Sequence, residues 1–293
     1  NRSLFKQKFR EINYSGITSE NQIPIPEFTQ SKFMFDWLLS ISHNLSKSLI
    51  LNYNASNSSL IPSFTKDINT TDRNRLELFE KFFNVGEPNF YNQNFTANYN
   101  LPISNFPFLD FINANYSYNG NFNWQRGSDI LNNVSDQFGN KLGRVNTIQN
   151  SNNQTLNIAL NLDRLYRQIN FSNNNFLFDF LTSLKRVRST YSENSGKVLP
   201  GYIPSIGFLG TLKPSFGFVF GSQKDVRYEI AKNGWLTTFN DFNQQFQKVY
   251  NSKFDLSAEI ELFKNLKIDL NANRTYSNNF SENYSIIENN YNA

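Results

Sequence analysis

A single histidine, His43, stands in a chain of 293 residues that has no cysteine. One imidazole cannot assemble a multi-histidine metal site, and without thiolates the usual zinc ligand sets are closed as well. His43 falls at the end of an alternating stretch, where it reads as an ordinary polar side chain rather than a base. Asp255, Glu259 and Glu261 share the parity of one strand face, which would allow paired acid and base work. A water-filled lumen explains these carboxylates better. Gly127, Gly139, Gly143, Gly207, Gly210 and Gly221 lack both the Lys-Ser/Thr pair of a phosphate loop and the strand-to-helix setting of a dinucleotide fingerprint. They read as turns and bulges. The residues therefore predict a chain that is not an enzyme and that binds no cofactor or metal.

The composition describes a two-faced polymer. Thirty Phe, fourteen Tyr and three Trp make 16% of the residues aromatic, yet only 18% are charged and mean hydropathy is −0.53. The polar half is thus built from amides and hydroxyls rather than from Lys and Glu, unlike an ordinary soluble surface, where about a quarter of all residues are charged. The net charge of +4 comes from scattered basic residues, which argues against nucleic acid as a partner. The densest basic run, Lys185, Arg186 and Arg188, is most simply a solvated face, the alternative being an anion or lipid-headgroup contact. The many Asn-X-Ser/Thr triplets follow from the abundance of Asn and carry little weight as glycosylation sites.

No stretch approaches the eighteen or so apolar residues of a membrane-spanning helix, but strands cross membranes by a different pattern. Ile112, Ala114, Tyr116, Tyr118, Phe122 and Trp124 alternate with Asn113, Asn115, Ser117, Asn119, Asn121 and Asn123, with Gly120 in the apolar series. A period of two places these sets on opposite faces of one strand. The run is longer than the five or six residues of an average globular strand and reaches the nine to eleven of a tilted membrane strand. The first set is therefore expected to face lipid and the second to face a lumen. Similar alternation occurs at Phe33–Ile41, Leu49–Ala55, Phe95–Leu101, Leu156–Leu162, Phe216–Phe220, Phe254–Leu262 and Ile268–Ala272.

Connections between these segments alternate in length. Short ones fall at Asn44–Lys47, Pro102–Phe108 and Phe263–Asn265, and long ones lie between them, as when one end of a barrel faces the periplasm and the other the outside. Keeping every short turn on one side requires any further strands to come as a pair, and Leu184–Tyr191 with Tyr202–Leu209 are the best candidates, making about ten. Leu177, Phe180 and Leu181 have helical spacing and predict a short amphipathic insertion. Phe242, Phe246 and Tyr250 share that spacing, and Trp235, Leu236 and Phe239 are placed in an extracellular or lumen-capping loop. The expected organisation is a loop or linker over 1–31, a barrel segment over 32–276 with insertions at 57–90, 125–153, 163–183 and 223–251, and a loop leading to further strands over 277–293.

Several segments resemble the SprA/Sov family of very long cell-surface proteins. The motifs are Pro107-Phe108-Leu109-Asp110-Phe111-Ile112-Asn113-Ala114 with Trp124-Gln125-Arg126-Gly127, then Asn146-Thr147-Ile148-Gln149-Asn150. Leu199-Pro200-Gly201-Tyr202, Gly217-Phe218-Val219-Phe220-Gly221-Ser222-Gln223, Gly234-Trp235-Leu236-Thr237 and Asp241-Phe242-Asn243-Gln244-Gln245 follow in order. The resemblance covers most of the chain from the first strand onward, and none of the motifs is catalytic in that family. It implies the outer-membrane translocon of the type IX secretion system, which exports folded proteins and supports gliding motility. The implied partners are secreted cargo proteins, gating and plug proteins of the system, and outer-membrane lipids. This chain departs from the family in length, lacking a signal peptide and most of the strands.

The fold expected is thus all-β: an antiparallel transmembrane β-barrel segment of about ten strands from a larger barrel, with long loops and a short helical insertion. With poorly matched first and last strands, the segment alone is expected to form a curved open sheet rather than a sealed pore. The location expected is the bacterial outer membrane. Two other classes share the alternation: a nutrient-uptake barrel of the TonB-dependent type, and a soluble β-sandwich adhesin or carbohydrate-binding protein.

Overall fold

The computed structural model describes residues 2–7, 28–62, 86–129, 134–135, 139, 141–169, 182–239, 242, 244–263 and 265–293. The chain is mostly antiparallel β and is not closed as a barrel. One sheet carries nine strands in simple sequence order, each bonded to its chain neighbour. The strands are β1 (Arg2–Gln7), β2 (Phe28–Asn44), β3 (Leu49–Pro62), β4 (Glu87–Leu101), β5 (Ile112–Gln125), β6 (Asn146–Asn161), β7 (Leu184–Tyr202), β8 (Phe246–Phe263) and β9 (Leu266–Glu282). A separate hairpin follows, β10 (Ser285–Ile287) with β11 (Asn290–Asn292). By contact density the chain divides into two compact units, residues 1–37 with 57–90, and residues 38–56 with 91–293.

Side-chain alternation gives every strand from β4 to β9 one polar and one less polar face, and backbone pairing then locks those faces into register. Ile112 lies opposite Leu160, Ala114 opposite Ile158 and Tyr116 opposite Leu156. The same line continues through Tyr191 and Phe254 in the next two strands. Pro102 opens a single 3-10 turn, Pro102–Asn105, that ends β4 without a ladder bond being lost. Short connections at residues 45–48 and 264–265 fall at the same end of the sheet as this turn, while β7 and β8 are joined at the other end by residues 203–245.

Several strands are longer than alternation alone suggests, and the reason is the same in each. β3 continues to Pro62, β6 begins at Asn146 and β7 runs unbroken for 19 residues, because amide and hydroxyl side chains replace apolar ones at buried positions. Asn57, Ser59, Asn146, Asn150, Asn152 and Ser195 are all buried. The insertions expected at 57–90 and 125–153 are therefore shorter, spanning 63–86 and 126–145. The loop expected over 277–293 is instead the end of β9 followed by the hairpin, and the linker expected over 1–31 contains β1 and the start of β2.

Two expected strands are not strands. Tyr202–Leu209 leaves the sheet after Tyr202, and Phe216–Val219 is one helical turn, α2, whose Ser215 hydroxyl accepts from the Phe218 amide at 3.2 Å. Gly221, at φ +91°, ends that turn in a conformation glycine adopts freely. Conversely, Phe246 and Tyr250 belong to β8, since a spacing of four satisfies both the helical and the strand period. The insertion at 163–183 holds a described helix, α1 (Leu162–Gln168); Leu177, Phe180 and Leu181 lie outside the described residues.

The outer end of the sheet is fastened through one arginine. Arg227 opens the short helix α3 (Arg227–Lys232), and its guanidinium lies 4.4 Å from the Phe246 ring and 5.1 Å from the Tyr291 ring. It donates to Asp225 at 2.8 Å and pairs with Glu282, the last residue of β9. A cation held against aromatic faces and two carboxylates ties α3, β8, β9 and the hairpin together. Hydrogen bonds from Arg227 hold the Asp225 carboxyl below its ordinary value. A carboxyl depressed on folding stabilises above its unfolded pKa, about 4, and loses that contribution as pH falls through the lower folded value. Amide exchange at Ile230–Trp235 should therefore accelerate relative to β5 as pH drops from 5 to about 2.5, after correction for intrinsic rates. Asp225→Asn combined with Glu282→Gln should remove the acid-dependent part; an unchanged pH profile in that double variant refutes the linkage.

Candidate functional site

The feature of this chain that can do chemistry is a wall with two unlike faces. On the first face, Leu156, Ile158 and Leu160 of β6, Leu256, Ala258 and Ile260 of β8, and Ile268, Leu270 and Ala272 of β9 fall in register with Ile112, Ala114 and Tyr116 of β5. Leu39 and Ile41 of β2 belong to the same face, because the neighbouring Ser40 and Ser42 bond Asn54 and Asn52 on the other side. Large members of this band are open, with Ile41 51% and Leu270 53% exposed. A contiguous apolar patch of this extent is rare on a surface that meets water. Aromatic residues cross the strands along its outer margin, where Tyr118, Tyr191, Phe254 and Tyr276 occupy adjacent rows. Phe106, Phe108 and Phe263 are exposed at the turn end.

The second face carries no comparable apolar row. Asn113, Asn115, Ser117, Asn119, Asn121 and Asn123 line it on β5, followed in register by Asn153, Thr155 and Asn157 on β6 and by Thr190, Ser192 and Asn194 on β7. Across β8 and β9 come Asp255, Ser257, Glu259, Asp269, Asn271 and Asn273. These groups bond mainly to one another. Asn94 donates to Asn119 at 3.0 Å and to Asn121 at 2.7 Å, Asn92 to Asn123, and Thr190 to Asn157 at 2.8 Å. Some charges on this face are paired, Lys253 with Asp255 at 2.9 Å and Arg186 with Glu259 at 3.6 Å. Of the carboxylates read as candidates for acid and base work, Asp255 and Glu259 are thus engaged by cations. Near the turns a cavity of about 510 Å3 opens, lined by Asn105, Asn113, Asn115, Asn157, Arg188 and Thr190 among others.

The apolar face changes character beyond Tyr118. Phe122 and Trp124, expected to meet lipid, are 0% and 1% exposed because residues 203–239 fold back over them. The Trp124 indole donates to the Pro204 carbonyl at 3.1 Å, and the Phe122 ring meets Phe218 edge-on with centroids 6.1 Å apart. Both are therefore packed against protein. The overlying segment is held by its backbone: Asn150 donates to Ser222 O at 2.8 Å, Asn152 to Gly221 O at 2.9 Å, Gln93 to Val219 O at 3.3 Å and Tyr118 to Phe220 O at 2.6 Å. The buried Lys197 ammonium reaches Lys224 O at 2.9 Å and also Gln223 O. Amides at positions whose parity calls for apolar residues were the available signal for this cover. Trp235 lies in this same segment, outside the strands, with Leu236 bridging to Tyr202.

The fit between cover and wall is close at one point. A Cβ placed on Gly120 would lie 2.3 Å from the Phe220 carbonyl oxygen, and one on Gly221 would lie 2.8 Å from Gly120 Cα. Gly120→Val should push the 216–222 turn off the sheet at a cost of about 1–3 kcal/mol. Gly196→Val should cost less, since its Cβ would meet only neighbours at 3.4 Å or beyond. Limited proteolysis within residues 203–239 reads the difference, and equal protection in the two variants would show that the close approach is not what seats the turn.

No family model matches the chain, and no curated protein matches its sequence.

Proposed function

We propose that this chain is part of the wall of a bacterial outer-membrane β-barrel that conducts folded proteins, a translocon of the SprA/Sov type serving type IX secretion and gliding motility. The observation that carries the reading is the uncovered apolar band on one face of a long-stranded sheet whose other face is polar, mostly amide and hydroxyl with interspersed charges. In a bilayer the band meets hydrocarbon at no cost, and the paired backbone leaves no polar group unsatisfied between strands. From Ile112 to Tyr118 the band runs roughly 20 Å along β5, which a strand tilt of about 40° turns into roughly 15 Å of height, and the exposed Phe106, Phe108 and Phe263 at the turn end lengthen it toward the roughly 25 Å of apolar belts on outer-membrane barrels. Strands of 14 to 19 residues exceed what a bilayer needs and project beyond it.

The polar face then borders the lumen. Many of its amides bond one another and several of its charges are paired, so a passing protein finds fewer groups that must exchange partners to let it move. Secreted cargo, gating and plug proteins, and outer-membrane lipid are the partners of this reading. The far edge of β9, bonded only to β8 among the described residues, pairs with a further strand in the assembled barrel. A soluble β-sandwich would need a second sheet over Leu256 and Leu270, and the folded-back segment covers the region beyond them instead.

Two measurements test this. Leu256→Arg in the full-length protein should impair outer-membrane assembly, costing about 2–4 kcal/mol for a charge near the bilayer centre, whereas Ser257→Arg should be tolerated. Equal tolerance at both sites refutes the facing. A photo-crosslinking residue at Asn121 should capture secreted proteins while export is arrested, and one at Leu256 should not. Assembly with the predicted facing but no cargo adduct at Asn121 would turn the reading from protein export toward the uptake of small nutrients.

A further inference from the structure

The segment that folds back over Phe122 and Trp124 does so on the apolar face, the side that the proposed function gives to lipid. Its lowest point is the turn around α2. The Phe220 carbonyl accepts from Tyr118, and the Phe220 ring packs 5.5 Å from Phe95 and 6.3 Å from Tyr53. Tyr118 stands opposite Gln154, the first polar position on this face of β6 after Leu160, Ile158 and Leu156. The turn therefore rests on the first row past the apolar band.

Its own residues are sorted. Phe218 and Val219 are buried against the sheet, while Phe216 stacks on Phe220 at 4.6 Å and remains 66% exposed. Leu209 and Leu212 on the same stretch are likewise exposed. From Ile203 to Lys224 there is no acidic residue, and Lys213 and Lys224 are both exposed. Exposed aromatics on a fixed platform, flanked by cations and adjoining an apolar band, match the zone where a bilayer changes from hydrocarbon to anionic headgroups.

We propose that the turn Ser215–Ser222 is a lipid-headgroup anchor, with Phe216 inserted at the outer margin of the bilayer and the neighbouring lysines against anionic headgroups. The wall thus rests on the membrane surface by a ledge as well as spanning the membrane by its band. The ledge gives the sheet a fixed depth, since sliding inward would bury Lys213 and Lys224 and sliding outward would lift Phe216 into water. It also places residues 203–239 outside the lumen, where they brace the wall and leave the polar face open.

This inference rests on the lipid-facing of the band, and one experiment separates the two. Nitroxide labels are placed singly at Leu256, Phe216 and Glu229 of the full-length protein in vesicles of phosphatidylethanolamine with phosphatidylglycerol. Collision with oxygen and with a water-soluble nickel chelate then reports depth. The expected result is Leu256 deep in hydrocarbon, Phe216 at the interface and Glu229 in water, with Phe216 moving toward water when Lys213 and Lys224 are both changed to Glu. Leu256 in hydrocarbon with Phe216 as wet as Glu229 overturns the anchor and leaves the band assignment standing. Phe216 shielded from both reagents overturns it in favour of a protein partner. Leu256 in water overturns both.

Discussion

Cross-strand register is the constraint on which this structure depends. Once Ile112 is set opposite Leu160 and Leu256 opposite Ala272, every second residue of five successive strands is committed to one face, and the residues between them to the other. A slip of one residue would carry polar side chains into the apolar band, Asn in β5, β6 and β9, and apolar ones onto the amide face. The register is defended from both sides, by the apolar band and by Asn94, Asn119 and Asn121, whose mutual bonds require those particular rungs to be adjacent. Sequence with so few charges can specify a unique pairing because two independent ladders, one apolar and one amide, agree.

The same rule explains why one face is divided along its length. Below Tyr118 it is apolar and open; above, the parity is kept but the chemistry shifts to Asn146, Asn150, Asn152 and Lys197. A buried amide without a partner costs about 1–3 kcal/mol, so these side chains demand acceptors. Residues 203–224 supply them as main-chain carbonyls of Ile203, Gly221, Ser222 and Lys224, which lie outside the one helical turn of the segment. Wall and cover thus each meet the unsatisfied groups of the other. Gly120 and Gly221 are small because backbone must approach backbone at that point.

How much of this was legible follows from the period of two. Where apolar and polar residues alternate strictly, as from Ile112 to Trp124, strand and face can be read directly from the residues. Where Asn or Ser occupies the buried series, as at Asn57, Asn150 or Ser195, the alternation vanishes although the backbone continues unchanged, and strand ends are read too early. Alternation was also misleading where tertiary contacts override it: Phe216, Phe218 and Phe220 alternate as a strand would, yet Ser215 caps a helical turn there. The burial of Phe122 and Trp124 was not legible, since parity assigns a face but does not say what covers it.

On the proposed reading the wall conducts proteins and must be stiff without being adhesive, and the two faces would divide that work. Stiffness comes from the apolar side, where the cover packs Phe218 against Phe122 and the Arg227 cluster clamps the ends of β8 and β9. The amide side contributes less adhesion where its donors and acceptors are matched within the wall, as at Asn94, Asn119, Asn121 and Asn157. Had the same polar face been built from Lys and Glu, each unpaired charge would draw on the complementary charges of a passing surface, and at tens of positions such contacts would add. Paired charges and self-bonded amides present only weak, replaceable contacts, of the order of an exposed ion pair at about 0–1 kcal/mol each. The scarcity of charge in this chain is in this view a property of the face it shows to its cargo.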